Sequence, residues 1–235
     1  MKTISQELKI ILYENNLIDE IGKLNRIALH FNNKCKNEFD ANCYNHVIIS
    51  KLKFFLTINI NRMKFLTDAY LTELNHLNPL SCNIILRSIM ETASQVTYLY
   101  KSIFYLTENF TDENLLLELE KLPEKLSFGE KKEPRMQEAV NVITTVKSLD
   151  IFNKKYFFNS IPLIFVDVYS SLSEISHPNF SGYAINMMFT GKSTVRILDE
   201  NRKFFEEDYQ IKTFIEINKL YEAAINYTEF IVDGL

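Results

Sequence analysis

Glycine and proline number five each in this chain of 235 residues, well under the usual share of about 7% and 5%. A fold built from many short strands needs a turn every few residues. This chain does not carry the residues for that, and its long unbroken segments repeat their apolar positions at three and four. The pattern predicts a mainly all-α protein, a multi-helix bundle of about seven helices forming a single domain over residues 1–235, with one small β-hairpin near residues 183–198.

Punctuation sets the expected boundaries. A first helix is predicted from Thr3 to about Phe31, weakened in its middle by Gly22, and the polar run Asn32 to Asp40 ends it. A second spans Ala41 to Asn75 and is long enough to kink. Asn78 and Pro79 read as cap and first-turn proline of a third, ending near Leu106. Thr111 caps a short fourth helix, and residues 122–133, with Pro123, Gly129 and mixed charge, read as a solvated loop or hinge. Pro134 opens a fifth helix through Lys155; Ser160 and Pro162 open a sixth that Pro178 stops. Gly191 and Lys192, flanked by β-branched and aromatic residues, make the hairpin turn, and a last helix covers Asn201 to Val232.

A formal charge of −4 and a pI near 5.7 supply no overall attraction for phosphate backbones. This argues against generic DNA binding and restricts RNA contact to a local basic patch. Lys2, Glu7, Lys9 and Glu14 interrupt the first residues, so no secretory signal is expected there. The apolar run Ile161 to Val168 holds Asp167 and is far below the roughly 18 residues of a membrane span. Three cysteines, Cys35, Cys43 and Cys82, suggest reduced thiols. Together these point to a cytoplasmic protein without a membrane partner.

Gly191, Lys192 and Ser193 imitate the end of a phosphate-binding loop, but Asn186 stands where its first glycine belongs. His30, Cys35, Cys43 and His46 gather metal-ligating types around one junction at spacings that match no zinc pattern. Neither a metal nor a cofactor is therefore expected. Arg26 and His30 share one face of the first helix and read as a solvated pair.

Two polar stripes stand out on otherwise apolar helices. Asn83, Arg87, Glu91, Ser94 and Tyr98 follow one face of the third helix, and Tyr169, Ser173 and His177 one face of the sixth. Buried charge is costly unless paired, so such stripes form either a satisfied network or a site. Arg87 can hold a phosphate or carboxylate through two hydrogen bonds. His177, near a helix carboxyl end, suits proton transfer or pairing with Glu91. Arg87, Glu91 and His177 are the candidate catalytic residues, and Asn83, Tyr98, Tyr169 and Ser173 the candidate binding residues.

The segment Ile85 to Glu91, followed by Tyr169 to Pro178, resembles a bacterial family of helical proteins with an Arg-x3-Glu helix and a Tyr-x3-Ser-x3-His element. It is similar in character to the HEPN group of all-helical domains. That resemblance, over residues 80–182, implies a phage-defence or toxin effector with metal-independent RNase activity. Catalytic members of the group carry Arg and His on one helix with four to six residues between them; Arg26-x3-His30 is one short, and Arg87 and His177 lie on different helices. The other expectation is a non-catalytic interaction module for a protein partner or a nucleotide-like ligand. Its apolar terminal helices would either pair across a homodimer or close the monomer core.

Overall fold

The computed structural model describes residues 4–41, 44, 46–109, 112–127, 140–158, 160–177, 187–189, 195–197 and 209–235. Eight helices are present among them: α1 (Gln6–Glu14), α2 (Ile18–Lys34), α3 (Val47–Asn75), α4 (Pro79–Asn109), α5 (Asp112–Ser127), α6 (Val142–Tyr156), α7 (Phe165–Ser176) and α8 (Tyr209–Asp233). Strands β1 (Met187–Phe189) and β2 (Val195–Ile197) pair antiparallel, with Met188 opposite Arg196. The rest of the expected hairpin region, including the proposed turn at Gly191 and Lys192, lies outside the described residues.

Helix α4 is the hub, packing against α3, α5, α6, α7 and α8. It can do so because apolar side chains leave it in several directions: Leu86, Ile89, Met90, Ala93, Val96, Leu99 and Ile103 are all fully buried. Each large side chain removed from water in this way contributes about 1.5–3 kcal/mol. Helix α8 closes the bundle with Phe214, Ile217, Leu220, Tyr221 and Ala224. The Phe214 ring stacks on Tyr70 of α3 at 4.2 Å.

Several expected boundaries are corrected. The first helix is two, and the break falls at Asn15 and Asn16 rather than at Gly22. Asn16 takes φ 58°, a left-handed conformation that asparagine tolerates, and Asn15 Nδ2 donates to the Ile11 carbonyl at 2.8 Å. Buried Leu12 and Leu17 fix the corner, whereas Gly22 lies inside α2 with nothing near its missing side chain. Helix α3 starts at Val47, six residues late, because the His46 ring accepts from the Ile48 N–H and caps it. Asn78 caps α4 as expected, its Oδ1 accepting from Ser81 N.

The fourth helix is not short. It runs through Pro123 to Ser127, so residues 122–127 of the expected loop are helical. Lys51 of α3 grips Glu120 and Glu124, on either side of the proline, at 2.7 and 2.9 Å, while Leu119 and Leu126 face the core. Helix α6 starts not at Pro134 but after Asn141, whose side chain accepts from Ile143 N. Helix α7 begins at Phe165, later than Ser160 and Pro162 suggested. The described part of the last helix begins at Tyr209.

Candidate functional site

The polar stripes meet where α4, α6 and α7 pack together. Helices α4 and α6 run in the same direction, joined by a buried hydroxyl seam. Ser94 Oγ donates to Thr145 Oγ1 at 2.9 Å, Ser148 Oγ donates to the Ser94 carbonyl at 3.1 Å, and Thr97 bonds the Ser148 hydroxyl. Helix α7 then takes its start from α6. The Asp150 carboxylate accepts from the N–H groups of Phe165 and Val166 at 2.7 and 3.3 Å, occupying donors that a helix leaves open at its first turn. Burial raises the Asp150 pKa above its ordinary 3.8, and these two hydrogen bonds oppose the shift.

From that anchor α7 runs back along α4, and Tyr169 reaches Arg87 and Glu91. The three side chains close a triangle. Arg87 Nε donates to Glu91 Oε1 at 3.2 Å, Arg87 Nη2 donates to the Tyr169 hydroxyl at 3.2 Å, and that hydroxyl donates to Glu91 Oε1 at 2.7 Å. The guanidinium carbon also lies 5.3 Å from the Tyr169 ring centre, within range of a cation–π contact. Tyr169 is 4% exposed, and the Arg87 and Glu91 side chains are 29% and 31% exposed. Burial, then the hydrogen bond to Glu91, pushes the Tyr169 phenol above its ordinary 10.0, so it remains a donor.

The remaining predicted site residues divide. Asn83 is buried with an Nδ2 that finds no acceptor, and Ser173 has a buried, unpartnered Oγ. Each lies one turn from the triangle, on α4 and α7 respectively, and the antiparallel course of the two helices carries both toward the same end. Ser94 belongs to the α6 seam rather than to an open face. Tyr98 packs half-buried against the core. His177 does not join Arg87 and Glu91. It is the exposed C-cap of α7, its backbone N–H donating to the Glu174 carbonyl, about 12 Å along the helix from Tyr169 at 1.5 Å per residue, and no hydrogen bond or ion pair reaches its side chain among the described residues.

The junction that held His30, Cys35, Cys43 and His46 is separated by the fold. His30 faces Glu222 of α8 with Nδ1 3.4 Å from Oε1, His46 caps α3, and Cys43 lies outside the described residues. Among the described residues no group of three or more His, Cys, Asp or Glu side chains is placed to hold a metal, and no helix is long and apolar enough to cross a membrane.

Sequence reasoning missed Asp150, Thr145 and Ser148, which hold the site's scaffold. Thr145 and Ser148 share one face of α6 and Asp150 another, at positions that look like ordinary polar substitutions. Nothing local marks them, because their partners are on other helices. Compared with models of protein families, with curated proteins and with solved structures, the chain matches none.

Proposed function

We propose that the protein is a non-catalytic helical binding module, in which Arg87, Glu91 and Tyr169 clasp α7 to α4 and recognition of a protein partner or a nucleotide-like ligand takes place elsewhere on the bundle. The observation that carries this reading is the closed triangle. Each of the three groups bonds the other two, so two donors of the arginine and one carboxylate oxygen are already engaged within the clasp. A nuclease site of the type implied by the HEPN resemblance needs its histidine at the arginine, and His177 stands about two turns away along α7.

The second reading is a HEPN-like RNase of toxin or phage-defence type, working without metal. It is favoured by one observation: the His177 side chain is exposed and has no partner among the described residues, at the end of α7 toward which Asn83 and Ser173 also lie. One experiment separates the two. Wild type, Arg87→Ala and His177→Ala are induced at matched soluble levels, growth is followed, and total RNA is inspected. The module reading expects normal growth and intact RNA. It also expects a loss of about 1–3 kcal/mol of stability in Arg87→Ala and a change under about 0.5 kcal/mol in His177→Ala, as for an exposed residue. RNA cleavage by wild type that both substitutions abolish, in folded protein, transfers the conclusion to the nuclease.

A further inference from the structure

Away from the clasp, α2 and α8 lie side by side with charged faces opposed. His30 meets Glu222, and Lys34 Nζ meets Asn226 Oδ1 at 2.9 Å and Glu229 at 3.8 Å. Because the next turn of α2 meets the next turn of α8, the helices run in the same direction. One turn earlier, the register brings Arg26 level with Asn218, beside Lys219. Level with Arg26 stands an amide flanked by a lysine, and Arg26 has no ion-pair partner among the described residues.

A cavity of about 550 Å3 lies there between residues of the two helices. Its rim carries the cations Lys23, Arg26 and Lys219 together with Glu216, Glu222 and His30. Lys23 is held by Glu20 at 2.8 Å, Lys219 lies 3.6 Å from Glu216 and Glu222 faces His30, so Arg26 is the cation of this rim with no ion pair among the described residues. The apolar floor is Ile27, Phe31 and Ile215. The wall adds an acceptor that lacks a donor: Asn218 is 3% exposed with an Oδ1 that accepts no hydrogen bond. A buried acceptor left open is costly, and a ligand N–H that reaches it removes the cost.

These three features specify one kind of molecule. A free cation with a bidentate fork selects a phosphate or carboxylate. An apolar floor selects a flat or aliphatic body, and an open acceptor selects an N–H donor on that body. The volume is far larger than an inorganic anion fills. We propose that the α2–α8 cleft binds a nucleoside monophosphate, its phosphate on Arg26 and Lys23, its base over Ile27, Phe31 and Ile215, and an N–H group toward Asn218. This gives the binding-module reading a ligand and a wall. It rests on that reading in assigning the cleft recognition rather than cleavage.

The test is calorimetric titration of the full chain with AMP, GMP, CMP and UMP in turn, and with adenosine and inorganic phosphate as the two halves of the ligand. At least one nucleotide is expected to saturate below about 1 mM, with each half at least about tenfold weaker. Arg26→Ala is expected to weaken that binding about tenfold or more, and Arg26→Lys to recover part of it. Arg26 is exposed and unpaired, so both variants keep the wild-type urea midpoint. Tyr169→Phe, at the clasp, leaves the affinity unchanged. No saturation by any of the four nucleotides, equal binding by Arg26→Ala, or phosphate alone binding as tightly as the nucleotide each overturns the proposal. RNA intactness in expressing cells is read separately, so a failure of this inference and a failure of the module reading produce different results.

Discussion

Tyr169→Phe removes one oxygen and keeps the ring. The packing against the core and the cation over the ring persist, and what goes is the hydroxyl that donates to Glu91 at 2.7 Å and accepts from Arg87 at 3.2 Å. A hydrogen bond to a charged group contributes about 1.5–3 kcal/mol. Arg87 and Glu91 still hold each other at 3.2 Å with about a third of each side chain in water, so solvent replaces part of the loss and the expected cost is about 1–2 kcal/mol. In a chain of this size that lowers Tm by roughly 2–8 °C. Urea unfolding followed by circular dichroism should show a lower midpoint at unchanged slope. Glu91→Gln combined with Tyr169→Phe should cost less than the two single losses added together, because both remove the same bond. An unchanged midpoint for Tyr169→Phe, or strict additivity in the double variant, refutes the clasp.

Asp150→Ala uncaps α7 and is expected to cost about 1–2 kcal/mol by urea midpoint, with Asp150→Asn recovering part of it and faster amide exchange at Phe165 and Val166; wild-type exchange at those two amides would count against the cap. Burial holds His30 below its ordinary 6.5 despite the opposing pull of Glu222, so through this range the folded chain binds fewer protons than the unfolded one. The His30 contribution is therefore complete above pH 6.5 and lost as pH falls from 6.5 through the lowered folded value. A stability profile of His30→Gln should be flatter than wild type over that interval, and an identical slope would remove His30 as its source.

How much of this was legible depended on whether partners lay near in sequence. Arg87 and Glu91 share one helix face at a spacing of four, and their pairing could be read directly. The Asn78 cap could be read for the same reason. Tyr169 as the third member required two helices to meet, and the stripe pattern only hinted at it. The capping of α7 by Asp150 and the hydroxyl seam from Thr145 and Ser148 had no local signal. Pro123 misled because its helix is held by Lys51, about seventy residues earlier in the chain. Asn16 hid the break between α1 and α2, since this chain also places asparagines such as Asn25, Asn59 and Asn61 inside helices. Arg26 and His30 looked like an ordinary solvated pair until α8 was laid beside them.

The closing position of α8 has a consequence for how the molecule is made. Its Tyr221 donates to Asn59 of α3 across 162 residues of chain, and its apolar face covers α2, α3 and α4. At about 5–20 residues per second, the ribosome exposes Asn59 roughly 8–32 s before Tyr221 follows. During that interval the hub helix carries a long oily groove with nothing to fill it. Nascent chains are therefore vulnerable to sticking together until α8 emerges, and a holdase that masks α4 over that interval is expected to raise the yield of folded protein.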